Sequence, residues 1–286
     1  MKLVRYADGR GNALGLVKKD GIIDLRRNWP ELRDDMITLI REWPRVGSAI
    51  ERMLADSNPD VPLADVRLLA PVGRPGKILA IGLNYADHIK ETGQQAPSQQ
   101  VWFSKAATSV NAPFDPIEVP MSSEQVDYEA ELVVVIGRRC KHVSEERAQQ
   151  VIFGYCAGND VSVRDWQLRT SQWVLGKSFD THAPIGPWIV TPDESGDPHA
   201  LGIRCFVNGE QRQNSNTRHL IFNVYAQIAL LSNAMTLEPG DLIFTGTPGG
   251  VGLAMKPPRW LKAGDRVRVE IDRIGAIEAV MRPEPL

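Results

Sequence analysis

At residues 127–137 the chain reads Asp-Tyr-Glu-Ala-Glu-Leu-Val-Val-Val-Ile-Gly, three carboxylates followed by an apolar run. The run Leu132–Ile136 has the length and composition of a buried strand. Side chains alternate between the faces of a strand, so Asp127, Glu129 and Glu131 are predicted to point to one side. Like charges there repel one another unless a cation lies between them. Oxygen ligands without nearby Cys or His favour Mg²⁺, Mn²⁺ or Ca²⁺ over zinc. The alternative is a solvated acidic face.

Strand-like runs recur along the rest of the chain, and only a few helices separate them. We predict strands at 132–136, 185–190, 203–207, 241–245 and 267–271, and helices at 31–56, 85–92, 144–152, 162–168 and 222–235. Because regular strand–helix alternation is absent, the pattern indicates a β-rich α+β fold rather than a doubly wound sheet. Linker-like segments at 57–62 and 71–76 predict a small N-terminal α/β domain (1–72) and a larger domain (73–286).

The composition excludes several classes of protein. The 286 residues are 43% apolar and 24% charged, which is ordinary for a globular chain. The net charge of −2 argues against a nucleic-acid or membrane-surface partner. The three cysteines are far apart in the sequence, so neither a disulfide framework nor a Cys-rich zinc site is expected, and a reducing cytoplasmic location is predicted.

A histidine and a glutamate form a candidate acid–base pair. His88 and Glu91 lie three residues apart on a predicted helix, so they share one helix face. A Glu that accepts a hydrogen bond from one imidazole nitrogen leaves the other nitrogen available as a base. The alternative is an ordinary surface pair. The other histidines have no comparable partner and are interpreted as surface or loop residues: His142, His182, His199 and His219.

Further polar residues follow the second half of the chain. Asp160 ends a strand-like run and is either the N-cap of the next helix or an additional acidic ligand. Arg164 and Gln167 share a face of that helix, and Lys177 lies a few residues later. Together these three side chains offer positive charge and hydrogen-bond donors to a carboxylate substrate.

A strand leads into a glycine-rich loop at residues 241–252, Asp-Leu-Ile-Phe-Thr-Gly-Thr-Pro-Gly-Gly-Val-Gly. Backbone N–H groups in such a loop can form an anion-binding nest, and the alternative is a tight connector. The loop matches neither the Walker A motif nor G-x-G-x-x-G.

These motifs become specific when they are taken together and in order. As a set they resemble the fumarylacetoacetate hydrolase superfamily over about residues 77–280, and the ending 256–265 resembles the bacterial and mitochondrial members of its smaller-enzyme branch. The motifs are Gly82–His88, Asp127–Leu132, Gly158–Asp165, Gly176–Thr181, Gly240–Asp241 and Thr245–Pro248.

The resemblance implies a fold and a set of site residues. The fold is the mixed β-sandwich roll of the superfamily's C-terminal domain, usually in a homodimer. The metal ion, Mg²⁺ or else Mn²⁺ or Ca²⁺, would be held by Glu129, Glu131 and Asp160. The founding hydrolase has one more Asp ligand, at the position of Ile81 here. Catalysis is assigned to His88 and Glu91, on a lid that continues through residues 90–100, and to Lys177. Substrate-binding positions are Arg164, Gln167, Thr181, Gly246 and Thr247.

The implied activity is metal-dependent hydrolysis of a C–C bond in a 2,4-dioxo acid of the acylpyruvate, fumarylpyruvate or 2,4-dioxo-3-deoxy sugar acid type. A metal-bound enolate would be the leaving group, His88 would activate water, and Lys177 would offset negative charge. The same enolate serves a tautomerase, a 2-hydroxyhepta-2,4-diene-1,7-dioate isomerase or an oxaloacetate decarboxylase, and the sequence leaves these open. A non-catalytic binding protein is a third alternative, disfavoured because the His88–Glu91 pair is intact.

Overall fold

The structure, a computed structural model, describes residues 1–92, 95 and 97–285, and of His88, Lys90 and Thr92 it describes the backbone alone. Part of the predicted lid (90–100) therefore lies outside the described residues. The strands are β1 Lys2–Asp8, β2 Gly11–Lys18, β3 Gly21–Asp24, β4 Val61–Pro62, β5 Arg67–Leu69, β6 Ile78–Gly82, β7 Val101–Lys105, β8 Val110–Asn111, β9 Ile117–Val119, β10 Val126–Asp127, β11 Ala130–Ile136, β12 Ile152–Asn159, β13 Ser162–Val163, β14 Ala183–Val190, β15 Gly202–Val207, β16 Glu210–Asn216, β17 Leu242–Phe244, β18 Arg266–Ile271 and β19 Gly275–Pro283.

Five α-helices lie between these strands: α1 Met36–Asp56, α2 Ala86–Thr92, α3 Arg164–Gln167, α4 Pro192–Ser195 and α5 Val224–Ala234. Short 3₁₀ segments occupy Pro30–Leu32, Leu63–Asp65, Ala107–Ser109, Glu145–Val151, Thr217–His219 and Gly252–Ala254. The predicted helix at 31–56 begins later because Asp35 caps α1, its carboxylate accepting a hydrogen bond from the Ile37 N–H (2.9 Å). Over the part of the chain that is described, no helix combines the length and apolarity that a membrane span needs.

Two sheets and a short two-stranded ribbon, β10–β13, make up the β structure. The larger sheet has twelve strands and runs β4-β3-β2-β1-β14-β12-β11-β17-β6-β7, with β5 beside β1 and β8 beside β14. The smaller sheet has five strands in the order β16-β15-β18-β19-β9. Most pairs are antiparallel, and β17–β6, β14–β8 and β19–β9 are parallel. This mixed, strand-rich architecture confirms the predicted fold class.

Strand β11 lies at the centre of the molecule because both of its faces are apolar. Leu132 and Val134 pack into a core that is shared with the five-stranded sheet. Val133 and Val135, on the opposite face, pack into a second core that includes residues of α1 and β2. The acidic residues Glu129 and Glu131 therefore continue the Val133 side of the strand.

The sheet runs without a break across residue 72, where the sequence predicts a domain boundary. β1 pairs with β14 through Lys2–Val190 and Leu3–Ile189, and β5 pairs with β1. The second core joins α1 to β11, and the Trp43 and Phe153 rings meet edge to face at 5.1 Å. The N-terminal residues thus complete the sheet that carries the acidic strand.

Candidate active site

Three carboxylates meet where strands β11 and β12 lie side by side. Ala130 pairs with Asn159 and Glu131 with Gly158, so Asp160 follows its strand next to the start of β11. Carboxylate oxygens of Glu129, Glu131 and Asp160 lie within 4.8 Å of one another. All three side chains are buried, with exposures of 6%, 1% and 0%. This brings together the three predicted metal ligands.

Asp160 does not cap a helix. The next helix, α3, begins at Arg164 with Val163 in the cap position. The Asp160 carboxylate instead contacts two lysine ammonium groups, Lys105 Nζ at 2.6 Å and Lys177 Nζ at 2.7 Å. The N-cap alternative for Asp160 is therefore wrong.

Buried cations separate the carboxylates. Lys177 Nζ lies 2.7 Å from both Glu129 and Asp160, and it also lies over the Phe103 ring at 4.8 Å. Arg164 Nη2 lies 2.8 Å from Asp127 and 2.7 Å from Glu129. Burial opposes ionisation of Glu129, but these two cations hold its pKa down at about 2.

Asp127 lies outside the trio, although the alternation of side chains predicts it on the same side. The chain leaves strand pairing at Tyr128 and Glu129, because β10 pairs with β13 and β11 starts only at Ala130. The Asp127 carboxylate accepts hydrogen bonds from Arg164 Nε (2.9 Å) and from the Gly252 N–H (2.8 Å). Its role is to hold Arg164 and the glycine-rich loop.

Glu131 is the least compensated member of the trio. It accepts a hydrogen bond from the Gly246 N–H (2.7 Å), and among the described side chains no Lys or Arg forms an ion pair with it. Burial and the charges of Asp160 and Glu129 raise its pKa well above the usual value. A hard divalent cation held by Glu129, Glu131 and Asp160 would relieve this repulsion, and their oxygen donors fit Mg²⁺ or Mn²⁺.

The glycine-rich loop binds anions, but they are the protein's own carboxylates. The Gly246 N–H donates to Glu131, the Gly250 N–H to Glu91 (2.9 Å) and the Gly252 N–H to Asp127. Gly246 has φ +104, and a Cβ there would lie 2.8 Å from the Asn84 Cβ. The loop thus combines both readings of the sequence, since it is a tight connector whose N–H groups are occupied internally.

A cavity of about 560 Å³ opens over the carboxylates. Its walls contain five of the predicted site residues besides Glu129 and Glu131: Glu91, Arg164, Gln167, Lys177 and Thr247. The remaining lining residues are mostly apolar: Ile81, Gly82, Leu83, Phe103, Leu168, Trp173, Val251, Leu253, Ala254, Met255, Lys256 and Pro258. Thr181 and Gly246 are not among the described residues that line it.

The predicted substrate-binding roles of Thr181 and Gly246 stay predictions, and the described contacts of both residues are to the protein itself. Thr181 Oγ1 accepts a hydrogen bond from the Glu118 N–H (2.9 Å), and the residue has φ +66, a left-handed conformation unusual for a β-branched residue. The Gly246 N–H is directed to Glu131. Both residues position the site through backbone contacts and are not part of the cavity wall.

Thr247 presents its hydroxyl to the cavity in a defined orientation. The Gln213 amide donates to Thr247 Oγ1 (2.8 Å), while Gln213 Oε1 accepts from the Ala130 N–H (2.9 Å). Because Thr247 Oγ1 already accepts a hydrogen bond, its own proton is available to donate into the cavity. Gln213 is a site-supporting residue that the sequence reasoning missed.

The predicted substrate-binding pair Arg164 and Gln167 is brought together in α3. Arg164 Nη1 donates to Gln167 Oε1 at 2.8 Å, and both side chains are buried. The Arg164 guanidinium thus contacts three protein side chains even without a substrate: Asp127, Glu129 and Gln167.

Helix α2 places the predicted acid–base pair beside the glycine-rich loop. The Glu91 carboxylate accepts a hydrogen bond from the Gly250 N–H and lines the cavity. Asp87 accepts a hydrogen bond from Ser215 Oγ (2.6 Å), which ties the helix to β16. The His88 side chain lies outside the described residues, so its pairing with Glu91 stays a prediction.

Two features of the site were not predicted from the sequence. The first is Lys105, which ends β7 and is fully buried against Asp160. Its place just after the apolar run Val101–Phe103 is a sequence cue that could have indicated its burial. Trp173 forms a wall with Phe103 (ring centroids 5.5 Å apart), and Gly82 leaves it room because a Cβ there would lie 2.4 Å from the indole ring.

His182 lies in the loop before β14, as one of its two predicted placements has it, but it is fully buried and not on the surface. Its Nε2 contacts the Glu118 carbonyl oxygen at 2.8 Å, and Nδ1 has no partner within the described part of the chain. Burial lowers the pKa of His182 to about 3. The neutral imidazole donates through Nε2 and supports the segment next to Asp160.

This burial predicts a pH dependence of stability. Between pH 6.5 and 3 the unfolded chain takes up a proton at His182 and the folded chain does not, so stability falls as the pH falls. We expect the free energy of unfolding to drop between pH 7 and pH 5 by about 2 kcal/mol more in the native sequence than in His182→Gln, whose amide can still donate to Glu118. Urea unfolding at the two pH values measures this difference, and identical pH dependence in both proteins contradicts the burial argument.

The fold and this site define a class of strand-rich enzymes. The family model "Fumarylacetoacetate (FAA) hydrolase C-terminal" matches residues 77–282, and the chain belongs to this family. The resemblance read from the sequence is thereby confirmed.

Several relatives match over nearly the whole chain. Oxaloacetate tautomerase fahd2, mitochondrial, of Xenopus laevis is 46% identical and covers 97% of this chain and 89% of its own length. The manganese(II)- and pyruvate-bound maleylpyruvate hydrolase of Sphingobium sp. SYK-6 is 36% identical with a TM-score of 0.83, and the match covers 100% of both chains. The 2-hydroxyhepta-2,4-diene-1,7-dioate isomerase of Mycobacterium marinum is 34% identical with a TM-score of 0.77, again over 100% of both.

Proposed function

We propose that this enzyme is a divalent-metal-dependent keto–enol tautomerase of a 2-oxo dicarboxylic acid of the oxaloacetate type. The observation that carries the proposal is the buried trio Glu129, Glu131 and Asp160 beside a cavity, whose carboxylate oxygens lie within 4.8 Å of one another. The 46% identity to an oxaloacetate tautomerase supports tautomerisation ahead of the C–C hydrolysis expected first from the sequence.

Different residues of the site would have different roles in such a reaction. A divalent cation, when bound by the trio, supplies Lewis-acid stabilisation of the negative charge that develops on the 2-oxo oxygen. Lys177 fixes Glu129 and Asp160 and adds positive charge at that end of the cavity. Thr247 donates a hydrogen bond to a substrate oxygen. In the keto-to-enol direction His88 on α2 takes the proton from carbon 3 and a proton is delivered to the 2-oxo oxygen, and in the reverse direction the oxygen loses its proton and His88 returns one to carbon 3.

C–C bond hydrolysis of a 2,4-dioxo acid is the second candidate. The likeness to a maleylpyruvate hydrolase over the whole chain favours it. So does the cavity of about 560 Å³ with its Trp173 and Phe103 wall, which leaves space beyond a four-carbon acid. The isomerase and decarboxylase alternatives use the same carboxylates.

Assays on one purified preparation separate these reactions. With Mg²⁺ or Mn²⁺ we expect the ultraviolet absorbance of enol-oxaloacetate to decay faster than in buffer, with no pyruvate formed, and EDTA to remove the acceleration. Release of pyruvate from oxaloacetate indicates decarboxylation, and release of pyruvate from acylpyruvates indicates hydrolysis. Rapid acylpyruvate cleavage without any effect on the oxaloacetate enol contradicts the tautomerase proposal and favours the second candidate.

The remaining expectations about the enzyme stay predictions. Mg²⁺ or Mn²⁺ is the ion we propose, and the solved maleylpyruvate hydrolase contains manganese(II). The homodimer is proposed from the family resemblance, and exposed apolar side chains at Leu168 and Leu175 (62% and 59% exposed) are consistent with a partner. The cytoplasmic location is untested, and the Xenopus relative is mitochondrial by name.

A further inference from the structure

Three cationic side chains line the cavity among those that the structure describes, and two of them are committed to carboxylates. Lys177 contacts Glu129 and Asp160, and Arg164 contacts Asp127 and Glu129. The third cation is Lys256, whose side chain is exposed at the cavity rim. Within the described residues no Asp or Glu forms an ion pair with Lys256.

The backbone that carries Lys256 is fixed relative to the acidic trio. On its N-terminal side, the Gly252 and Leu253 N–H groups both donate to Asp127, at 2.8 and 3.0 Å. On its C-terminal side, the Arg259 N–H donates to the Gly252 carbonyl oxygen and the Leu261 N–H to the Val126 carbonyl oxygen. The lysine is therefore anchored at both ends of its segment, and its flexible side chain can follow a ligand in the cavity.

A dicarboxylic substrate needs a cation at each end. Its 2-oxo acid end belongs at the carboxylate trio, next to Lys177 and Thr247. The rest of the described cavity wall is mostly apolar, with Trp173 and Leu253 among its residues, so an unpaired distal carboxylate there would be costly. We propose that Lys256 binds this distal carboxylate and so selects dicarboxylic 2-oxo acids over monocarboxylic ones. The proposal rests on the proposed function, because it takes a 2-oxo acid as the substrate.

Binding of non-reacting analogues tests the selectivity without requiring turnover. Malate carries the distal carboxylate and 2-hydroxybutyrate does not, and both can be titrated calorimetrically into the Mg²⁺-loaded enzyme. We expect Lys256→Ala to weaken malate binding about tenfold and to leave 2-hydroxybutyrate unchanged. Lys256→Arg should retain most of the malate affinity. Lys262→Ala, which removes an exposed lysine outside this cavity, is the matched control and should change neither affinity.

Turnover provides the second readout. For deuterium exchange at carbon 3, followed by NMR, we expect Lys256→Ala to raise the KM for oxaloacetate about tenfold with little change in kcat, and to leave the KM for 2-oxobutyrate unchanged. The assignment of Lys256 is overturned if Lys256→Ala weakens the dicarboxylic and the monocarboxylic compound equally. It is also overturned if malate affinity does not fall in Lys256→Ala, or if the native enzyme does not bind malate. Malate selectivity in an enzyme that does not accelerate oxaloacetate exchange contradicts the proposed function and leaves the assignment of Lys256 standing.

Discussion

Replacing Glu131 by Gln is expected to abolish both catalysis and the stabilisation of the protein by Mg²⁺ or Mn²⁺. The substitution removes one of three buried anionic ligands, yet the amide oxygen can still accept the hydrogen bond from the Gly246 N–H. The native enzyme at a metal concentration 100 times the dissociation constant should gain about 2.7 kcal/mol, and the variant almost none.

The metal-free proteins should show the opposite order. Burial and the neighbouring carboxylates raise the pKa of Glu131 and so favour its neutral form in the absence of metal, which an amide replaces closely, and the melting temperature of Glu131→Gln in EDTA should equal or exceed that of the native chain. Thermal melting with and without metal, together with manganese titration, measures both effects. Glu210→Gln, at an exposed carboxylate, is the control. A native-like response of Glu131→Gln to Mg²⁺ refutes its role as a ligand.

Replacing His88 by Ala is expected to slow the reaction about 10²–10⁴-fold while metal binding stays intact, because a general base contributes a factor of this size. Helix α2 is held beside the cavity by the Asp87–Ser215 and Glu91–Gly250 hydrogen bonds. These contacts do not depend on His88, so the variant should fold with the helix in place.

Reaction rates and metal titrations, measured on the same preparations, show whether His88 acts as a base or has only a structural role. The pH profile of kcat/KM should lose its acidic limb in His88→Ala, because a general base must be deprotonated to act, and manganese affinity should not change. His142→Ala serves as the control. It removes a histidine whose Nδ1 contacts Oδ1 of Asn233, 91 positions later in the chain. An unchanged rate in His88→Ala removes His88 from the mechanism.

Local patterns predicted much of the architecture and two of the three buried carboxylates, and the family resemblance added Asp160 to them. The run Leu132–Ile136 forms part of β11, and the two glutamates before it lie on the Val133 side as alternation requires. The same alternation predicts Asp127 on that side, and its carboxylate shares Arg164 Nη2 with Glu129, but strand pairing is interrupted between β10 and β11 and Asp127 is not one of the three carboxylates that converge.

Contacts between distant segments account for what the sequence did not predict. Lys105 meets Asp160 across 55 positions, and Gln213 reaches Ala130 across 83. His182 is buried because β14 begins beside it and enters the middle of the larger sheet. Burial of a polar residue follows from tertiary packing, so single-residue reasoning, which assigned His182 to the surface or a loop, did not predict its burial.

One sheet contains strands from both sides of residue 72, so removing the N-terminal residues should affect the rest of the protein. A fragment starting near residue 77 would lose the neighbour that bonds β14 at Ile189 and Val190, together with the helix that covers Phe153. Naked strand edges and uncovered apolar side chains promote self-association. We therefore expect a fragment limited to the family segment to self-associate more readily than the whole chain.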